Sequence, residues 1–230
     1  MKKTTPFLIS ACTILFFASC HNGNMANANG DSTHNDTTTY DRTRPVGTNV
    51  LEDLLTIKDD EELKSKFGKE AITYDTVWGA EGAYTMGSFI NKGKNEVEII
   101  WQDSLHRKGV SSLLVVAAMD KDGYYVYDNT WVSKTGIKLG MTTDELEKMN
   151  GKPFTFSGFG WDYGGGVGEW KGGKLEDCGV GLTLSEGNTE GKCSEKELNS
   201  IMGDQTLTSD NPVIKKVQPR VVTMSVFERR

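Results

Sequence analysis

The chain has 230 residues and carries 26 basic against 32 acidic side chains, a net charge of −6. That balance excludes nucleic acid or an anionic lipid surface as the main partner, because both are held by clustered Lys and Arg. Only three histidines and four cysteines are present, and they show no clustering that would supply the three or four converging ligands of a zinc site.

Lys2 and Lys3 open the chain, an apolar run from Phe7 to Phe17 is broken only by Ser10 and Thr13, and Phe17-Ala18-Ser19-Cys20 closes it. This is the layout of a secretory signal: a charged start, an apolar run of about 7–15 residues and small residues at the cut. The run falls short of the roughly 20 apolar residues that a transmembrane helix needs. A Cys directly after two small residues resembles the lipobox of bacterial lipoproteins, with Phe17 standing where Leu is commonest. The resemblance implies that residues 1–19 are removed, that Cys20 receives a diacylglycerol and that its new amine is acylated. Two or more such chains, at about 0.8 kcal/mol per buried methylene, give stable attachment to a bilayer. Removal of Lys2 and Lys3 with no acid moves the charge of the remainder from −6 to −8. The implied location is the bacterial cell envelope, lipid-anchored with the outer membrane favoured, and the domain in the periplasm or at the cell surface.

Residues 20–48 hold the lipidated Cys20 and then a stretch rich in Asn, Thr, Gly, Ser and Asp. Such a composition buries too little apolar surface to offset its ordering entropy, so a disordered linker is expected. Its end-to-end distance would be roughly 30 Å, and about 95 Å at full stretch. Asp31-Ser32-Thr33 and Asp36-Thr37-Thr38 resemble acceptor triplets for O-glycosylation in some bacterial envelopes.

From Val50 the chain turns globular. Thr48 or Asn49 would cap a short helix through Leu55, with Leu51, Leu54 and Leu55 on one face. Asp59 to Lys69 then aligns with Thr142 to Lys152 at a constant offset of 83 positions. In the second copy Thr142 and Glu145 form a capping box, Met141 and Leu146 a hydrophobic staple, Gly151 the stop, and Pro153 bars continuation. Asp59, Glu62 and Gly68 predict the same for the first copy. Strands are predicted over 71–78, 83–91, 96–101, 112–119 and 124–131 in the first unit, with Asp120-Lys121-Asp122-Gly123 as a hairpin turn. The second unit predicts strands over 154–159, 167–171, 179–184 and 221–227, and a polar excursion over 185–212. The expected fold is α+β: two tandem units, 49–133 and 134–230, each of short helices packed on antiparallel sheet.

Gly136-Ile137-Lys138-Leu139-Gly140-Met141-Thr142-Thr143-Asp144-Glu145-Leu146 with Gly151-Lys152-Pro153 resembles the opening of one superfamily. That group holds the β-lactamase inhibitor proteins and the small lipoproteins of the outer-membrane assembly machinery. The first copy has Lys58 and Glu70 in place of the Met and Pro of this pattern. The resemblance implies a helical segment on an antiparallel sheet, two units in tandem as in the inhibitor branch, and a sheet face that binds another envelope protein.

No pattern in the chain carries catalysis. Gly168-x4-Gly173-Lys174 nearly fits a phosphate loop, but Leu175 replaces the Ser or Thr that holds magnesium. The run from Asp120 opens like a calcium loop and has Trp131 where its final Glu belongs. Asp59-Asp60 and Glu61-Glu62 read as a solvated helix start favoured by the macrodipole, and no nucleophile elbow is present. No cofactor is expected. Cys178 and Cys193 are expected to pair in a disulfide in an oxidising compartment, worth roughly 3 kcal/mol in the chain-entropy model. Trp78, Tyr84, Trp161, Tyr163 and Trp170 sit beside glycines, and Trp and Tyr dominate binding hot spots. They form the expected interaction surface of a non-catalytic protein-binding or scaffolding module. The second expectation is a ligand-binding or sensing module for an envelope carbohydrate or peptide, built on Trp161 and Trp170.

Overall fold

The computed structural model describes residues 49–93 and 95–228. The readings on the signal segment, Cys20, the 20–48 linker and its triplets fall outside these residues. The described residues belong to one compact unit, and no helix among them is long and apolar enough to cross a membrane.

Helix formation follows local capping chemistry. α1 (Asp60–Phe67) starts where the Asp59 side chain accepts from the Glu62 N–H, 2.9 Å, and stops at Gly68, φ 89°. The Glu62 carboxylate reaches back to the Lys58 N–H, 3.0 Å, one residue beyond the expected box. α2 (Thr143–Asn150) has the full capping box: the Glu145 N–H donates to Thr142 Oγ1, 3.2 Å, and the Thr142 N–H to Glu145 Oε2, 2.8 Å. Gly151 then takes the left-handed position at φ 76°, which costs a residue without a Cβ nothing. The helix expected before Leu55 is a 3-10 helix over Leu51–Thr56; Asn49 instead pairs with Trp131 in a short parallel bridge.

The stretch expected as a polar excursion is structured. α3 (Glu195–Asn199) carries its own capping box between Ser194 and Glu197, the short strand Thr206–Thr208 follows, and α4 (Pro212–Val217) begins under an Asn211 cap. Both helices are too short to show an apolar period, so only their caps were legible.

Six strands make one antiparallel sheet: β1 (Ile72–Trp78), β2 (Tyr84–Ile90), β3 (Val97–Asp103), β4 (Lys108–Val116), β5 (Val180–Ser185) and β6 (Arg220–Phe227), in the order β5-β6-β4-β3-β2-β1. Beyond β5 the ladder continues through bridges Gly166↔Thr183 and Phe156↔Val167 to the strand Thr155–Ser157. The Val167 N–H donates to Leu182 O and the Ser157 N–H to Gly166 O, both 2.9 Å. Outward from the β4–β6 seam, one side therefore reads β3, β2, β1 and the other β5, 166–168, 155–157. The two halves are mirror-ordered about the seam, and a single sheet crosses the expected boundary at 133/134.

Register decides which face is core. Ile99 lies opposite Leu113, Leu113 opposite Val226 and Val226 opposite Val180, all buried. Leu51, Leu54, Leu63, Leu146 and Ile214 belong to the same buried cluster. Burial of this kind returns about 25 cal/mol per Å² of apolar surface. The opposite sheet face carries half-buried Ile100 and Leu114, and exposed Val116 and Phe227.

The structure records no disulfide between Cys178 and Cys193, whose side chains are half-buried and packed against the core. The Cys178 Sγ is directed to Val180 O at 3.8 Å. Both side chains are thus engaged by their own packing.

Candidate functional site

The β1–β2 hairpin places the first aromatic pair. Trp78 lies opposite Tyr84 at the end of the strand pair, and the Gly79 N–H closes the loop on Ala83 O at 2.7 Å. Glu81 at φ 57° and Gly82 at φ 74° turn the chain. The two rings stand 5.6 Å apart and are 68 % and 70 % exposed. Tyr74 and Met86 share their face by register, and both are exposed. That face is the core face, since Ile72 pairs with buried Ile90. The strip is therefore apolar sheet surface that continues past the packed core. Arg107 lies over the Tyr74 ring at 4.8 Å, and the Tyr74 hydroxyl donates to Ser104 O at 3.3 Å.

A second pair arises in the loop after Thr155–Ser157. Trp161 donates its indole N–H to Gly158 O, 2.9 Å, and meets Tyr163 edge-on at 5.4 Å. Gly165 permits this loop to close: a Cβ there would stand 2.0 Å from Leu184 O, at φ 74°. Trp161 and Tyr163 are exposed, and the Tyr163 hydroxyl donates to Glu81 Oε1 at 3.1 Å. That bond joins the two aromatic loops directly. Trp161 follows Trp78 by the same 83 positions that separate the two capped helices.

Trp170 does not belong to this surface. It is 6 % exposed and packs on Phe154 with ring centroids 4.8 Å apart. Asn150, 1 % exposed, donates from Nδ2 to Trp170 O and Lys152 O, both 2.9 Å, and accepts from the Leu175 N–H at 3.1 Å. A Cβ on Gly173 would fall 2.1 Å from Asn150 Oδ1. The glycines around Trp170 serve a tight core clamp, which is why their presence did not signal exposure.

Asp60 also departs from expectation. Its carboxylate is buried rather than solvated, 2.7 Å from Lys64 Nζ and 3.0 Å from Arg107 Nε. Ser88 Oγ donates to Asp60 Oδ1 at 3.4 Å, and the Trp101 indole N–H donates to Ser88 Oγ at 3.0 Å. Bonds to Asp60 and then Glu61 raise the Lys64 ammonium above its ordinary pKa. The charge of Asp60 is matched by two cations, and the network ties helix to sheet.

A separate cleft of about 610 Å³ lies between the Tyr124–Tyr127 stretch, the loop after β5 and the start of β6. The turn behind it is built by Asp120, whose Oδ1 accepts from the Asp122 and Tyr124 N–H groups at 2.9 Å. The Tyr127 ring packs on Gly140, where a Cβ would meet ring Cγ at 2.8 Å. Arg220 Nη1 donates to Gly140 O at 2.7 Å. Burial pushes the Tyr127 phenol above its ordinary pKa, with nearby Arg220 opposing. Sequence reasoning placed these tyrosines on a strand and assigned them no site. Among the described residues no group of three or more His, Cys, Asp or Glu is placed to hold a metal ion.

Comparison with known proteins finds no family model, no curated protein and no solved structure that matches the chain.

Proposed function

We propose that this chain is a lipid-anchored envelope protein that binds another envelope protein through its two aromatic loops and performs no catalysis itself. The observation that carries the reading is the Tyr163–Glu81 bond, which joins exposed Trp78 and Tyr84 to exposed Trp161 and Tyr163. Large aromatic rings held by short loops with few free torsions are the anchors protein interfaces favour. The half-exposed apolar face carrying Val116 and Phe227 supports the same class of partner. Mirror order about the β4–β6 seam supports a tandem origin and agrees with the resemblance to the inhibitor and assembly-lipoprotein superfamily. A fold of that kind does not by itself specify a partner.

The test is photo-crosslinking in intact envelopes with a benzophenone side chain at position 84, followed by identification of the adduct. A discrete adduct lost on Trp78→Ala and Trp161→Ala, with the fold retained, is the expected result. Absence of any adduct, or one indifferent to both substitutions, refutes the surface. Cys20→Ala is expected to release the domain from the membrane fraction; attachment that survives a high-salt wash refutes the lipid anchor.

A further inference from the structure

We propose that the cleft between Tyr124–Tyr127 and the loop after β5 is a binding site for a neutral saccharide. Its volume of about 610 Å³ falls in the range of ligand pockets, about 300–1,000 Å³. The chemistry of the lining selects the ligand class. Tyr124 is exposed, while Tyr125 and Tyr127 are half-buried and pack against the core on one side, so Tyr124 and the remaining surface of the other two rings line the cleft. Tyr127 is fixed from behind because its ring rests on Gly140, where no side chain fits. A platform held in place in this way loses little freedom when a ligand stacks on it.

The polar groups are mixed in sign. Arg220 and Lys192 line the cleft together with Glu186 and Glu190, so the formal charges of the lining cancel and favour neither an anion nor a cation overall. Arg220 spends one N–H on Gly140 O and retains others of its five donors, while the two carboxylates only accept. A ligand matching this set needs an apolar face for the tyrosines and a rim of groups that both donate and accept. A pyranose ring has a C–H face and a rim of hydroxyls, and it meets both requirements without charge. A phosphate or carboxylate ligand would meet Glu186 and Glu190, and a cationic one would meet Arg220 and Lys192. The site shares no residue with the aromatic loops, so it is independent of the protein-binding surface.

The experiment is a titration of the isotope-labelled chain with maltotetraose, cellotetraose and chitotetraose at millimolar concentration, read by backbone amide shifts. At least one probe is expected to move amides of residues 123–127, 186–192 and 218–220 and to leave 79–83 and 161–164 unmoved. Tyr124→Ala, which removes an exposed ring outside the core, is expected to weaken that binding at least tenfold. Arg220→Lys, which keeps the charge and loses the planar fork, is expected to weaken it severalfold. No shift with any of the three sugars overturns the proposal, as does binding indifferent to Tyr124→Ala. Tighter binding of tetragalacturonate or of tetra-alanine than of all three neutral sugars also overturns it.

Discussion

Asn150 and Gly173 form a pair whose coupling can be worked out from the contacts alone. Asn150→Ala removes three hydrogen bonds, to Lys152 O, Trp170 O and the Leu175 N–H. At about 1 kcal/mol net each, with a further cost for buried groups left unpaired, the loss is about 3 kcal/mol. For a domain of this size that lowers Tm by about 6–12 °C. Gly173→Ala drives a methyl to within 2.1 Å of Asn150 Oδ1, an overpacking worth about 1–3 kcal/mol in the intact chain. Once Asn150 is Ala, the three nearest atoms the methyl would strike are gone, and Gly173→Ala should lose most of its cost. The double variant is therefore expected to be about 1–3 kcal/mol more stable than the sum of the single losses predicts. Urea unfolding followed by tryptophan fluorescence gives the four free energies, with equal m-values as the control for two-state behaviour. Additivity within about 0.5 kcal/mol would refute the clamp.

Three further outcomes are expected. Trp170→Ala should cost about 3–5 kcal/mol as a core truncation, whereas Trp78→Ala should leave the urea midpoint nearly unchanged; similar losses for both would contradict their burial. Bonds from Lys216, then the Ser194 N–H and hydroxyl, lower the Glu197 pKa from 4.5 to about 2. A depressed carboxylate stabilises the fold above its unfolded pKa and loses that effect as pH falls through the folded value. The midpoint gap between the parent chain and Glu197→Gln should accordingly be present above pH 4.5 and close toward pH 2; a constant gap would show that the ion pair is not its source. Alkylation of the unfolded chain without reductant should label both Cys178 and Cys193, and reductant should leave Tm unmoved, whereas a mass two hydrogens short with neither thiol labelled would restore the disulfide.

What the sequence made legible was the chemistry written within a few residues. Thr142, Glu145 and Gly151 announce α2, Asp120 to Gly123 announces a turn, and β1 through β3 and β6 lie close to their predicted spans. α3 and α4 carry equivalent caps in Ser194–Glu197 and Asn211-Pro212, but runs of five and six residues give no period to read. Side-chain fate was harder where it depends on distant segments. Trp170 is buried by Phe154 and by the Asn150 clamp, and Asp60 is drawn inward by Ser88 and Arg107. The tyrosine cleft joins segments around 125, 190 and 220, and no local pattern connects them. The aromatic loops were the intermediate case: the residues were visible, while the Tyr163–Glu81 bond that unites them required the fold.

The β4–β6 seam has a consequence for how the molecule is made. Ser112 lies opposite Phe227, about 115 residues later, so the central pairing of the sheet closes its longest loop. The outer hairpins close over a few residues and can form early, while the middle waits for the last described strand. Closure entropy and high contact order make that step slow. Until it occurs, β4 and β5 both present open edges. A chain released before Arg220 is therefore two half-sheets with sticky rims, and the final eight-residue strand acts as the zip that makes them one body.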